Sequence, residues 1–254
     1  MTNHDADRLA LHRWRELAGR PDSLLIDGFH ALKHTLRFGG TVHLVLTTDP
    51  AGLAGLAADL APDVAAGIAA RAVAVPPAVL RELVPRPHPT GVAALAVRPD
   101  PEQVLDRLRA APRTAPVVVL DNPRNLGNIG AVVRLAAGAG ATGVVTTGDV
   151  DPWHPTVVRG GAGLHFATAV ARLTPDRFPA GPRYVLDPEG TDLRDVTLPD
   201  AALLVFGSER HGVSPGLRAT ADALLALPMR PQVSSYNLAT SVAMTLYHWL
   251  AGAR

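Results

Sequence analysis

Residues 116–147, PVVVLDNPRNLGNIGAVVRLAAGAGATGVVTT, contain the pattern that decides the fold of this chain. The apolar run 117–120 predicts a buried strand, residues 129–139 have the spacing of a helix, and the run 143–147 predicts a second strand. Short, wholly apolar strands that alternate with helices are typical of a parallel sheet covered on both faces. Ligands bind such sheets in the loops beyond the carboxyl ends of the strands.

The same alternation continues toward the C-terminus. Residues 184–186 and 203–206 predict further strands, and a closing helix is expected from about Asn237 to Leu250. We therefore expect residues 116–254 to form one α/β domain built on a parallel sheet.

The N-terminal part of the chain predicts a smaller α/β domain that ends near Arg98. Its expected elements, in order, are a helix over 7–18, a strand and a helix ending at Gly39–Gly40, a strand in 41–50, an Ala-rich helix over 51–71, a strand at 72–75, a helix near 77–84 and a strand at 91–97. Residues 99–115 are rich in proline and mixed charges, which predicts a linker with one short helix. The expected domains are thus 1–98 and 116–254.

Composition excludes several classes of protein. The 254 residues include no cysteine, which rules out a disulfide scaffold and thiolate metal or redox chemistry, and no metal site is predicted. A formal net charge of +1 argues against general polyanion binding but not against a local anion site. The charged first residues and the absence of a long apolar run lead us to expect a cytoplasmic protein without a membrane segment.

The first chemically suggestive loop, residues 121–130, joins the strand 117–120 to the following helix. Its Asn- and Gly-rich sequence aims backbone N–H groups and the positive end of a helix dipole above the sheet. Asn128 and Arg134, six residues apart, are expected to face the same side of that helix. The alternative is a capped turn with an exposed arginine. The loop lacks the G-x-G-x-x-G spacing of a dinucleotide site.

A second loop, FGSERHGVS over 206–214, again follows an apolar strand and places Glu209 between Gly207 and Gly212. Paired glycines let the backbone approach a ligand, and the carboxylate could orient an arginine or accept from a ligand. The alternative is an ordinary solvated turn. The segment GVSPG matches the hydrolase elbow G-x-S-x-G, but Pro215 lacks the N–H that the oxyanion hole requires, so we reject that reading.

The third loop lies in LALPMRPQVSSYN, residues 225–237, where a proline-punctuated turn precedes the closing helix. It carries the polar residues Ser234, Ser235 and Asn237. Helix capping would account for these residues by itself. Capping does not explain why three such loops all follow apolar strands in one half of the chain.

The segments NIGAVVR, FGSERHG and LPMRPQVSSYN together resemble the three motifs of the SpoU/TrmH family. Members are S-adenosylmethionine-dependent RNA ribose 2′-O-methyltransferases of the SPOUT superfamily. The resemblance covers about residues 116–254, and the order and spacing of the motifs make it specific. IDGFHALKHTL and HPTGVAAL resemble the small ribosomal-protein-like RNA-binding domain that many members carry. GNIGAVVR is similar to the antibiotic-resistance branch that acts on 23S ribosomal RNA.

The resemblance implies a C-terminal parallel sheet with a deep trefoil knot and a defined set of site residues. The implied catalytic residues are Asn128, Arg134, Glu209, Ser235 and Asn237. The cofactor S-adenosylmethionine would contact the backbone of Gly207, Leu227 and Tyr236, with Met229 nearby. Tyr236 stands where the family usually has leucine, and Pro231 where it often has glycine. A guanidinium is always protonated, so we assign Arg134 to orientation and charge stabilisation, and the proton acceptor stays unassigned.

The resemblance also implies partners. RNA would bind mainly to the N-terminal domain, with candidate contacts at Arg13, Arg15, Lys33, His34 and Arg37; a solvated helix face explains these residues equally well. A homodimer would bury the closing helix, where Tyr247, Trp249 and Leu250 fit either an interface or a core. The expected activity is ribose 2′-O-methylation of 23S ribosomal RNA. The alternatives are a transfer RNA methyltransferase and a catalytically silent RNA-binding protein.

Overall fold

The computed structural model describes residues 3–252, so the expected domain limits at residues 1 and 254 lie outside the described part of the chain. The chain divides into two compact units. The first unit ends at Pro99 and also takes in Ala162–Ala167. The second unit consists of Asp100–Gly161 and the chain from Thr168 onward. The sequence pattern assigned residues 162–167 to the C-terminal domain, whereas in the structure they belong to the first unit.

The first unit is a mixed sheet with helices, as the alternating pattern predicts. Its elements are α1 (Asn3–Ala18), β1 (Ser23–Asp27), α2 (Phe29–Arg37), β2 (Val42–Thr47), α3 (Pro50–Leu60), α4 (Ala65–Ala69), β3 (Ala72–Ala74), α5 (Pro77–Leu83) and β4 (Val92–Val97). The strand order is β1-β4-β2-β3. β4 pairs antiparallel with both of its neighbours, and β2 pairs parallel with β3.

The helix predicted over 51–71 is wrong as a single element, because the structure breaks it into α3 and α4. Pro62 has no backbone N–H to donate, and a proline disfavours helical geometry in the residue before it. Ala61 accordingly ends α3 with φ −154° and ψ 49°. The alanine content of this segment favours helix throughout and hides the break.

The second unit is built on a six-stranded sheet in the described residues, with the order β10-β8-β9-β5-β6-β7. Its elements are α6 (Pro101–Arg109), β5 (Val117–Leu120), α7 (Leu126–Ala139), β6 (Gly143–Thr146), α8 (Pro155–Gly160), β7 (Ala169–Arg172), β8 (Arg183–Asp192), β9 (Leu203–Phe206), α9 (Pro215–Arg218), β10 (Ala223–Ala226) and α10 (Leu238–Gly252). Every strand pair is parallel, which confirms the predicted parallel sheet. The short elements β7 and α8 were not predicted.

The segment predicted as a linker, 99–115, contains the expected short helix, but that helix is part of the core. Val104, Leu105 and Leu108 on α6 are buried in one cluster with Val117 and Val119 of β5 and Ala169 of β7. The apolar residues of α6 recur at helical spacing and cover one face of the sheet. Proline content alone does not reveal this burial.

The sheet brings the three predicted loops to one edge. Because all strands run parallel, the loops that follow β5, β9 and β10 leave the same edge of the sheet. β9 and β5 are adjacent, so the loops 121–130 and 207–214 are neighbours. Among residues 3–252, no helix is both long enough and apolar enough to cross a membrane.

Candidate active site

The first loop is a capped helix start that also presents a side chain to the second loop. Asn125 caps α7 by accepting from the amides of Gly127 at 2.9 Å and Asn128 at 3.1 Å. The Nδ2 group of Asn128 donates to Oε1 of Glu209 at 2.7 Å. Capping therefore explains Asn125, whereas the side chain of Asn128 joins two loops.

The second loop is tightly folded around Gly207. Ser208 and Gly212 exchange backbone hydrogen bonds at 2.9 and 3.1 Å, which closes the turn that carries Glu209. A Cβ atom added to Gly207 would lie 1.9 Å from the carbonyl carbon of Gly212. Glycine is therefore required here by the close approach of two backbone segments.

The third loop completes the cluster through Asn237. Its Oδ1 atom accepts from the amide of Ala239 at 2.9 Å and so caps α10. Its Nδ2 group donates to Oδ1 of Asn128 at 3.2 Å. Glu209, Asn128 and Asn237 thus form one hydrogen-bonded chain that joins all three loops, and the predicted capping role of Asn237 coexists with this contact.

A cavity of about 620 Å³ opens beside this cluster. The four predicted cofactor residues line it, as do three of the predicted catalytic residues: Gly207, Leu227, Met229, Tyr236, Glu209, Ser235 and Asn237. The buried apolar residues Phe206, Leu225 and Leu238 also form part of the wall. The volume lies within the range of roughly 300–1,000 Å³ that is usual for small-molecule sites.

The cavity fits the chemistry of S-adenosylmethionine. The apolar residues Leu227 and Met229, which are partly exposed, suit the faces of an adenine ring, and the backbone at Gly207 offers peptide groups to its edge. The polar side chains of Ser234 and Ser235 suit hydroxyl and amino acid groups. The backbone at Leu227 and Tyr236 would hold the cofactor from the other side.

Arg134 is not brought into this cavity. It is exposed on α7, and ideal helix geometry does not put it on the same face as Asn128. Six helical residues turn through about 600°, which leaves the two side chains about 120° apart. The buried face of α7 carries Ile129, Val133 and Ala136 instead.

β8 also contributes to the cavity wall, which the sequence pattern does not predict. Asp187 and Pro188 line the cavity, and Asp187 accepts from Nε of Arg218 at 2.7 Å and from the amide of Glu189 at 2.9 Å. The hydrogen bond from Arg218 holds the pKa of Asp187 below its ordinary value. The run Asp-Pro-Glu-Gly directly after the predicted strand 184–186 was the available signal.

The candidate RNA contacts lie in the first unit and have different environments. Arg15 pairs with Glu82, and Arg37 pairs with Asp63, so both positive charges have an acidic neighbour. His34 donates from Nδ1 to the carbonyl of Ala162 at 2.8 Å, and burial lowers the pKa of its ring. Arg13 is exposed and Lys33 is half-buried. Their role in RNA binding stays a prediction.

The interface candidates on α10 separate into two kinds. Tyr247 is 74% exposed and Leu250 is 41% exposed. Trp249 is buried and donates from Nε1 to Oδ1 of Asp200 at 2.9 Å, so it belongs to the core of its own chain.

Within residues 3–252, no group of three or more potential ligands is placed to bind a metal ion.

Curated relatives match this chain over about half of its length or over nearly all of it. A 23S rRNA (uridine(2479)-2′-O)-methyltransferase of Streptomyces viridochromogenes is 31% identical over 51% of this chain and 50% of its own. The 23S rRNA (guanosine(2553)-2′-O)-methyltransferase RlmP of Bacillus subtilis is 25% identical over 94% of this chain and 92% of its own. The chain spans about half the length of several curated relatives that it matches.

Solved structures show the same fold. The SpoU methyltransferase AviRb from Streptomyces viridochromogenes, in complex with the cofactor AdoMet, superposes with a TM-score of 0.76 at 21% identity. This likeness covers 96% of this chain and 98% of that one. The model of the SpoU rRNA Methylase family matches residues 115–247, which include all three loops of the candidate site. Because that match spans more than half of the chain, this protein belongs to the SpoU rRNA Methylase family.

Proposed function

We propose that this protein is an S-adenosylmethionine-dependent methyltransferase that modifies a ribose 2′-hydroxyl of 23S ribosomal RNA. One observation carries the proposal: the hydrogen bonds that link Glu209, Asn128 and Asn237 join three family motifs at the mouth of a cavity of cofactor size. The relatives named as 23S rRNA 2′-O-methyltransferases support the substrate class.

The reaction requires a weak oxygen nucleophile to be aligned with the methyl group and its developing negative charge to be stabilised. When bound, S-adenosylmethionine supplies a methyl group activated by a sulfonium. Asn128, Glu209 and Asn237 hold the mouth of the cavity in one arrangement and can orient the ribose. Ser235 lines the same cavity and can donate to a ribose oxygen.

Arg134 is proposed to stabilise the charge on the 2′-oxygen and to grip the neighbouring phosphate. A guanidinium is a poor proton acceptor, so the base is another group. Because Arg134 lies outside the cavity of its own chain, a homodimer in which α10 is covered would allow it to act at the cavity of the partner. The exposed Tyr247 and Leu250 support such an interface.

The finer features of the family complete the proposal. The parallel sheet is proposed to carry the deep trefoil knot, supported by its likeness to SpoU methyltransferase structures. The first unit is proposed to dock the RNA, with Arg13 and Lys33 as the first residues to test.

Tritium transfer from labelled S-adenosylmethionine to purified 23S ribosomal RNA tests the activity, with transfer RNA as the competing substrate. Arg134→Ala should abolish transfer while cofactor affinity, measured by titration calorimetry, stays similar. Arg107→Ala, which removes an exposed arginine from α6 of the same unit, is the matched control. Failure of the wild-type chain to bind the cofactor would support a silent RNA-binding protein, and transfer only to transfer RNA would replace the substrate.

A further inference from the structure

Asp121 follows β5 directly, and its carboxylate is buried, with the residue 6% exposed. Both of its oxygens accept hydrogen bonds. Oδ1 accepts from the hydroxyl of Thr147 at 2.6 Å, and Oδ2 accepts from the backbone amide of Ser214 at 2.7 Å. A buried carboxylate with two short hydrogen bonds is a strong local anchor.

The position of β5 in the sheet explains what this anchor joins. β5 lies between β6 and β9. Thr147 follows β6, and Ser214 ends the loop that follows β9. One carboxylate therefore ties together three adjacent strand ends at the edge of the sheet where the cavity opens.

The contact with Ser214 fixes the loop that carries Glu209. The backbone of Gly212 and Val213, directly before Ser214, packs against Gly207, where an added Cβ would lie 1.9 and 2.2 Å from their atoms. A shift at Ser214 must therefore move Gly207, which lines the cavity, and Glu209 between them.

The contact with Thr147 fixes the start of the first loop. The hydroxyl oxygen of Thr147 also accepts from the amide of Asn122 at 2.8 Å. Asn122 has φ +49°, in the left-handed region of backbone angles that residues other than glycine rarely adopt. The same network thus holds the turn that leads to the cap of α7 and to Asn128.

We infer that Asp121 is a positioning residue, whose buried carboxylate holds the loops after β5 and β9 so that Gly207 and Glu209 line the cavity and Asn128 stays hydrogen-bonded to Glu209. This inference rests on the proposed function. Asp121 acts through the two loops and takes no part in the chemistry itself.

The test compares four variants of the full chain: Asp121→Ala, Asp121→Asn, Thr147→Val and the control Thr168→Val. Thr168 is a buried threonine directly before β7 whose hydroxyl donates to the carbonyl of Ala141, so its loss is matched in burial and chemistry. The readouts are affinity for S-adenosylmethionine by calorimetry, hydrogen exchange of residues 207–214 without cofactor, and tritium transfer.

Asp121→Ala should weaken cofactor affinity about ten-fold or more, because the Ser214 amide and Thr147 hydroxyl lose a charged acceptor. It should also speed exchange in residues 207–214. Asp121→Asn should stay within about three-fold of wild type, since its amide can still accept from Ser214 and donate to Thr147. Thr147→Val should lie between these, and Thr168→Val should match wild type.

Unchanged affinity and exchange in both Asp121→Ala and Thr147→Val would overturn the inference. An Asp121→Asn variant as inactive as Asp121→Ala, with normal exchange and cofactor affinity, would also overturn it, because the charge rather than the geometry would then matter. If Asp121→Ala does not fold, Thr147→Val decides by the same two readouts. A wild-type chain that binds no cofactor refutes the proposed function instead, while the exchange data still judge the anchor.

Discussion

A leucine at position 236 could line the cavity, but it could not make the hydrogen bond that Tyr236 makes. Its side chain lines the cavity, and its hydroxyl donates to the carbonyl of Pro228 at 3.1 Å. This hydrogen bond joins the two ends of the exposed segment 228–236. The departure from the usual family residue therefore adds a link that closes the third loop.

Tyr236→Phe keeps the ring and removes only this link. We expect cofactor affinity to fall by about two- to five-fold, because a net hydrogen bond of ordinary strength is lost and the loop gains freedom. Calorimetry measures the affinity, and limited proteolysis of residues 228–236 measures the freedom. Tyr247→Phe, at an exposed tyrosine on α10, is the control, and equal results for the two variants would contradict this role.

The structure brings together several of the residues that the resemblance singles out, but the resemblance did not predict how they meet. Glu209 and Asn237 line one cavity, and Asn128 hydrogen-bonds to both. Their contact depends on β9 lying next to β5, which local sequence patterns do not encode. Asn128 and Arg134 do not share one helix face, because six residues fall about 120° short of two full turns. Asp187 was missed because its partner, Arg218, is far away in sequence.

Among the elements, α7 offers an internal comparison of two glycines. At Gly130 an added Cβ would lie 2.7 Å from the carbonyl oxygen of Val157 on α8, whereas at Gly138 nothing lies within 4 Å. The close packing of α7 on α8 thus depends on a missing side chain at one position only.

Gly130→Ala should destabilise the protein by about 1–3 kcal/mol through overpacking, because backbone rather than a flexible side chain blocks the new methyl group. Gly138→Ala should instead stabilise it by about 0.5–1 kcal/mol, the usual gain from replacing glycine within a helix. Thermal melts of the two variants against wild type measure the difference. Melting temperatures that shift in the same direction would contradict the close packing of these helices.

The tie between β8 and α9 should make stability depend on pH. Arg218 hydrogen-bonds to Asp187 and also to Glu189, and it lowers the pKa of Asp187. A lowered pKa in the folded state stabilises the protein above the ordinary value of 3.8, and this stabilisation is lost as the pH falls through the folded value.

Arg218→Gln should therefore lower the melting temperature at about pH 7, and the difference from wild type should shrink toward about pH 2.5. Arg194→Gln is the control, since Arg194 pairs with Asp192 only two residues away and this exposed local pair should add little stability. If the difference in melting temperature between Arg218→Gln and wild type stays constant across this pH range, packing rather than charge accounts for the stabilisation by Arg218.

The elements of the second unit were largely predictable from sequence, for a clear physical reason. β5 and β9 are buried on both faces and therefore read as unbroken apolar runs, and their predicted bounds agree with the structure. α6 was predicted as a helix but not as part of the core, because its apolar face occupies only a few positions in a charged segment. The break between α3 and α4 shows a different error: the high alanine content predicted one continuous helix, although Pro62 interrupts it.

For the whole molecule, the proposed homodimer makes the exposed apolar residues of α10 the first to test. Tyr247→Asp should shift the chain from dimer to monomer in sedimentation velocity, because a charge would have to be buried in the interface. Leu9→Asp, at another exposed apolar residue on α1, should leave the assembly unchanged. A monomeric wild type, or a dimer insensitive to Tyr247→Asp, would contradict this interface.

The segment Ala162–Ala167 has a further consequence for how such a protein can be altered or inherited. The chain passes from one compact unit to the other at residue 100, returns at 162 and leaves again at 168. Recombination with a single junction near residue 100 would therefore give a hybrid in which the first unit takes residues 162–167 from the protein that supplies the second unit. Exchange of the first unit between related proteins therefore requires that residues 162–167 be transplanted as well, which makes this unit less portable than a single continuous segment.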